Sequence, residues 1–176
     1  MAAGPTIFTV GHGTRPIEEF LSLLHQVGVR RLVDVRTAPG SRRHPQFGRT
    51  ELGASLEAEG IEYVWRKDLG GWRKPVPDSP NTSLRSAPFR GYADYMATDG
   101  FRAALAWLIQ TSDATTTAIM CAETLWWKCH RRMIADALVA GGYEVVHLGT
   151  GSRPEPHVLN PAARLEGDRL VYDGPG

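Results

Sequence analysis

The tightest constraint on this chain is a strand, helix, strand succession packed between Thr6 and Val35. Thr6-Ile7-Phe8-Thr9-Val10 is short, β-branched and apolar, and it stops at Gly11. Thr14 can cap a following helix, Pro16 suits its first turn, and Glu18 and Glu19 complement its dipole. Ile17, Phe20, Leu21, Leu24 and Val27 keep helical spacing up to a stop at Gly28. Arg31 to Val35 then reads as a second strand. Strand, helix and strand within about 30 residues make a βαβ unit, which implies parallel strands.

The alternation continues. Thr50 is a candidate cap for a helix carrying Leu52 and Leu56 and ending at Gly60, with a strand at Ile61–Trp65. Residues 66–88 show no periodicity and hold four of the 12 prolines, as expected of a lid or binding loop. Phe89–Ala97 and Gly100–Gln110 read as helices and Thr116–Cys121 as a buried strand. A helix is expected over roughly Leu125–Ala140 and a strand over Tyr143–Leu148. Near the end, Glu166-Gly167-Asp168 is the turn of a small hairpin. The expected fold is α/β: one domain spanning 1–176, with a core over 6–148 and an extension over 149–176. Its mostly parallel sheet of about five strands is flanked by helices, with a small C-terminal hairpin.

Charge narrows the classes of function. Twenty Lys and Arg against 19 Asp and Glu leave a net charge of +1, too little to coat nucleic acid by charge alone. No apolar run approaches the roughly 18–20 residues of a membrane helix, and Met1 to Pro5 lacks the features of a secretory signal. The reading is therefore a cytoplasmic protein with no membrane association, whose two cysteines are reduced thiols. Oligomeric state is not legible, although the Trp126-Trp127 pair fits a partner surface or a site wall.

In an open parallel sheet the ligand crevice lies beyond the carboxyl ends of the strands. Those ends supply Gly11-His12-Gly13, then Asp34 and Arg36, then Cys121 and Glu123, then His147. Gly11 and Gly13 allow close approach of backbone to an anion at a helix start, but Pro16 stands where a dinucleotide fingerprint needs its third glycine. Asp34 and Arg36 share a strand face, as a structural pair or as a substrate clamp. Arg36, Arg42, Arg43 and Arg49 surround His44 without an acid, a solvated loop or a site for phosphate or carboxylate. A second basic stretch, Arg66 to Arg90, is interleaved with Trp65, Trp72, Phe89 and Tyr92, which suits an anchored lid or base stacking.

Cys121-Ala122-Glu123 followed by Cys129-His130-Arg131 is the sharpest constellation. A thiol between a strand end and a helix start has its pKa lowered by the dipole, and Glu123 or His130 can act as acid or base. A packed, inert Cys121 is the competing reading. A phosphatase or sulfurtransferase loop needs an arginine where Trp127 stands, and a c-type haem motif needs a cysteine where Trp126 stands. Zinc on Cys121, Cys129, His130 and either His12 or His147 is disfavoured, because adjacent helical side chains diverge by about 100°.

The same residues carry a resemblance. Thr9-Val10-Gly11-His12-Gly13-Thr14, Val33-Asp34-Val35-Arg36, Ser41-Arg42-Arg43 with Pro45-Gln46-Phe47, and Leu69-Gly70-Gly71 take part in it. So do Phe89-Arg90-Gly91-Tyr92-Ala93-Asp94-Tyr95-Met96 and the Cys-x-Glu…Cys-His-Arg signature. From about Thr6 to Leu148 the chain resembles the domain-of-unknown-function family numbered 488. The resemblance implies an α/β domain with these motifs in one site, and no settled activity. Gly13 stands where serine is usual in that family, so a hydroxyl able to contact ligand is missing there.

The leading expectation is a small enzyme acting on an anionic or nucleotide-like substrate. Cys121, Glu123 and His130 are the candidate catalytic residues, and His12, Asp34, Arg36, Ser41, Arg42, Arg43, Arg90, Tyr92 and Arg131 the candidate substrate contacts. No cofactor or metal is assigned. A nucleic-acid-binding module linked to repair or modification, and a metal-binding or redox-sensing domain, are the alternatives.

Overall fold

The computed structural model describes residues 4–40 and 42–175. The predicted alternation is present as β1 (Thr6–Gly11), α1 (Ile17–Gln26), β2 (Arg31–Asp34), α2 (Arg49–Ala58) and β3 (Glu62–Trp65). Two helices follow, α3 (Ala87–Met96) and α4 (Asp99–Ala114), then β4 (Thr117–Cys121), α5 (Arg131–Ala140) and β5 (Glu144–Leu148). Five strands are parallel in the order β3-β2-β4-β1-β5. A two-residue β6 (Glu155–Pro156), which no sequence pattern announced, adds an antiparallel edge beside β5. The expected hairpin is β7 (Ala163–Glu166) with β8 (Arg169–Tyr172). Among the described residues no helix is long and apolar enough to cross a membrane.

Alternation of side chains along the strands divides the apolar residues into two cores, one on each face of the sheet. Val10, Leu32, Ala118 and Met120 meet Phe20 and Leu24 of α1 and Leu52 and Leu56 of α2. On the other face Ile7, Val33, Ile119 and Val145 meet α3, α4 and α5 through Tyr92, Phe101, Leu108, Met133 and Ile134. All of β4 is buried, as a central strand covered on both faces must be.

Several element ends differ from expectation. Pro16, not Thr14, is the residue at the start of α1, and Gly48, not Thr50, opens α2; neither start has a side-chain cap. The helix expected over 125–140 is α5 alone, because Trp126–Lys128 is a 3₁₀ turn and Cys129 is extended. Trp126 leaves helical register to lie flat on the His147 ring, 4.5 Å between centroids at 5°.

Residues after β5 are tied to the core by a buried polar chain. Tyr172 Oη donates to Asp136 Oδ2 at 2.8 Å, and His157 Nε2 contacts Asp136 Oδ1 at 2.7 Å. A carboxylate accepts, so Nε2 of His157 carries hydrogen and, in a neutral ring, its Nδ1 accepts from His147 Nε2 at 2.8 Å. That assignment leaves His147 Nδ1 to accept from the Thr9 hydroxyl. Asp136 also accepts from the Asn160 N–H at 3.1 Å. An Asp136→Ala variant therefore strands two buried polar side chains and is expected to lose about 2–5 kcal/mol of stability in urea denaturation. Faster amide exchange over residues 155–172 than over β1 and β4 should accompany the loss.

Candidate functional site

The chain leaves β1 for α1 on one face of the sheet and leaves neighbouring β4 for α5 on the other. Adjacent strands whose connections part in this way open a crevice at their carboxyl ends. The parting loops stay paired for two more residues: His12 N donates to Cys121 O at 3.0 Å and Gly13 N to Ala122 O at 2.9 Å. Gly11 makes this possible, since a Cβ there would collide with the carbonyl of Glu123. A cleft of about 1210 Å³ opens from this point.

The cleft brings together His12, Arg36, Cys121, Glu123 and His130 from the predicted set. Of the remainder, Asp34 is fully buried and does not line it. It grips Arg36 from behind, with Oδ1 3.0 Å from Nε and Oδ2 2.7 Å from Nη2, and also accepts from the Tyr63 hydroxyl. Arg36 in turn donates from Nη1 to His12 Nε2 at 3.4 Å, because His12 Nδ1 is engaged by the Gly13 carbonyl at 2.9 Å. His12 also stacks on Phe47, 4.4 Å between centroids.

Four other expected substrate contacts lie away from the cleft lining. Tyr92 is fully buried in the core and donates to Leu69 O at 2.9 Å; its aromatic bulk was needed for packing between α3 and α4. Arg90 turns back to Leu84 O at 2.9 Å and does not line the cleft. Arg42 and Arg43 are exposed and lie outside the lining. Ser41 falls outside the described residues.

Arg131 is also relocated. It is fully buried behind the cysteines, where Nη2 donates to Thr124 O at 3.1 Å. Its Nε and Nη1 meet no hydrogen-bond partner among the described residues. A guanidinium so placed demands an anion. Cys121 is what can supply it. Burial pushes this thiol up, but a hydrogen bond from Cys129, the charge of Arg131 and the backbone contact with Glu123 bring it down from 9.0 to about 7. Cys129 moves the other way, well above the ordinary thiol, first because it donates to Cys121 and then because it is buried. The helix dipole expected from a start just after Cys121 is not the cause, since α5 begins only at Arg131.

His130 faces Cys129 instead of Cys121. Its Nε2 lies 3.1 Å from Val35 O, so Nε2 carries hydrogen and Nδ1 presents a lone pair 3.4 Å from Cys129 Sγ. The expected divergence of Cys129 and His130 fails because the extended backbone at Cys129 replaces helix. Even so, no group of three or more His, Cys, Asp or Glu among the described residues is arranged to hold a metal ion.

A family model described as "Domain of unknown function DUF488" matches residues 16–138. The chain belongs to the DUF488 family. No curated protein and no solved structure matches it. The matched range in this DUF488 chain includes Arg36, Cys121, Glu123, Cys129 and His130, and leaves out His147, His157 and Tyr172.

The lining also holds residues that no sequence spacing singles out. Arg73, Lys74 and Lys128 add cations to Arg36, and Glu123 is the one carboxylate among the described lining residues. Trp72, 86% exposed, and Phe89 form an aromatic rim. The mixture of cations and aromatics over 66–90 was the available signal, but only packing sorts it. Arg66 is consumed by Asp68 and Trp107, and Arg73 lies over Tyr95 at 3.6 Å. Gly91 lets this segment cross α3, since a Cβ there would strike the Arg73 carbonyl. The hydroxyl missing at Gly13 has a neighbour in Thr124, whose Oγ1 fills the space a side chain at 13 would need.

Burial lowers three imidazoles from 6.5: His12 to about 4, His130 to about 4 and His147 to about 3. Arg36 further depresses His12, Arg131 and Arg73 depress His130, and His157 and Arg131 depress His147. All three refuse protons that the unfolded chain accepts, so their contribution is complete above pH 6.5 and is lost as pH falls toward 4. Urea midpoints should drop progressively over that interval, and replacing His147 by Gln should flatten the drop. Gly11→Ala is expected to cost about 1–3 kcal/mol by the same measurement, because β1 and β4 must part to admit the methyl group.

Proposed function

We propose that this chain is a small thiol-dependent enzyme acting on an anionic, nucleotide-like molecule. The reading rests on one observation above others: an ionisable Cys121 on the cleft lining, with the buried guanidinium of Arg131 behind it, whose Nε and Nη1 have no partner among the described residues. Thiolate, not thiol, is the nucleophile, and the hydrogen bond from Cys129 together with the buried cation draws Cys121 toward it.

Cys121 is assigned attack on an electrophilic centre of the substrate. Glu123, exposed at the mouth with its Oε1 accepting from Leu125 N at 3.3 Å, is assigned proton transfer to or from the departing group. His130 serves at one remove, through Cys129. Arg36, Arg73, Lys74 and Lys128 are assigned the anionic group, and Trp72 with Phe89 a flat ring. Arg36 is held rigid by Asp34, so it meets an anion without first losing side-chain freedom.

The test begins with labelling. Iodoacetamide should modify Cys121 with a midpoint near pH 7, AMP should slow the reaction, and Cys121→Ser should abolish it at that position. Arg131→Met, of similar length and uncharged, should cut the labelling rate at pH 7 about tenfold by returning Cys121 toward an ordinary thiol. On a substrate recovered by metabolite screening, Cys121→Ser should reduce turnover about 10³-fold or more, and Glu123→Gln about 10²-fold or more. Unchanged turnover in both variants, or an ordinary thiol midpoint with no protection by AMP, overturns the assignment.

A further inference from the structure

The two cysteines line the same cleft, and nucleophilic catalysis makes no use of the second sulfur as a bonding partner. We propose that Cys121 and Cys129 are a peroxide-reactive dithiol that closes reversibly to a disulfide on the cleft lining. The inference is independent of any metabolite substrate, because its oxidant is a hydroperoxide.

Both thiols are free and both line the cleft. Cys121 donates its own proton, when present, to Glu123 O at 3.4 Å, and each thiol shifts the ionisation of the other. The segment joining them contains only a single 3₁₀ turn, and Cys129 itself is extended, so no α-helix must break for the sulfurs to approach. Two buried groups favour the chemistry. Arg131 stabilises the Cys121 thiolate, and His130 turns an unprotonated Nδ1 toward Cys129 Sγ at 3.4 Å.

The steps balance without further reagents. The Cys121 thiolate attacks one peroxide oxygen; a sulfur–oxygen bond forms, the oxygen–oxygen bond breaks, and hydroxide leaves to be protonated from water. Cys129 then attacks the Cys121 sulfur and releases its proton. A sulfur–sulfur bond forms, the sulfur–oxygen bond breaks, and the departing hydroxide recovers that proton as water. Two thiols are oxidised by two electrons, and one hydrogen peroxide becomes two waters. An external thiol reverses the bond by exchange.

Hydrogen peroxide in slight excess over the reduced full-length protein is the probe, read by intact mass and peptide mapping. The expected wild-type product has lost two hydrogens, links the Cys121 and Cys129 peptides, and labels at least about tenfold more slowly with iodoacetamide. Dithiothreitol should restore both thiols. In Cys129→Ser the mass should instead rise by oxygen atoms on Cys121, passing to the sulfinic form that dithiothreitol cannot reverse. Cys121→Ser should leave Cys129 reduced under the same treatment. Should either variant misfold, the wild-type map alone decides. Sulfinic acid on Cys121 beside a free Cys129, or two thiols untouched by peroxide, overturns the proposal. Neither result bears on AMP protection, so this inference and the enzymatic reading can fail separately.

Discussion

Two backbone hydrogen bonds beyond the ends of β1 and β4, from His12 to Cys121 and from Gly13 to Ala122, set the conditions for everything at the carboxyl edge of the sheet. They keep two chains together at the point where their onward connections separate to opposite faces. The crevice thus has a rigid base made of main chain, and side chains at 12, 121 and 123 inherit their positions from it. The requirement for a bare Cα at Gly11 follows directly, because the Glu123 carbonyl occupies the space a methyl group would take.

Upon that base lies an arrangement of charge that only makes sense as a unit. Asp34, entirely out of water, neutralises Arg36 and aims it at His12 and the cleft. Arg131, equally buried, has no carboxylate on its guanidinium among the described residues. The first pair is a closed account of charge, whereas the second leaves positive potential beneath a sulfur. Cys121 is drawn toward the thiolate and Cys129 is kept protonated, so two identical side chains acquire opposite character from position alone. Such separation of paired ionisable groups is a common sign of chemistry.

The segment after β5 has its own bearing on the cleft. His157 and Tyr172 close a polar chain on Asp136, and His147, the next ring along, carries Trp126 flat upon it. Trp126 belongs to the same short loop as Glu123 and Cys129. The C-terminal residues therefore brace the loop from beneath, although they fall outside the range the family model matches.

The amino-acid order alone determined the parallel α/β sheet, the hairpin and the strand ends bearing His12, Arg36, Cys121 and Glu123. Periodicity reports which faces are buried, and strands that alternate with helices along the chain run parallel. It also exposed the Cys-x-Glu…Cys-His-Arg constellation. What tertiary structure decided was which way each of these side chains is turned. Arg131 and Tyr92 went into the interior, Arg90 turned back to Leu84 before α3, and Arg73, Lys74 and Lys128 came to the cleft. His130 paired with Cys129 because Trp126 left the helix for His147, a contact between residues 21 positions apart. Local patterning carries no information on such encounters, since partners distant in sequence are chosen by packing and by the demand of buried polar groups for one another.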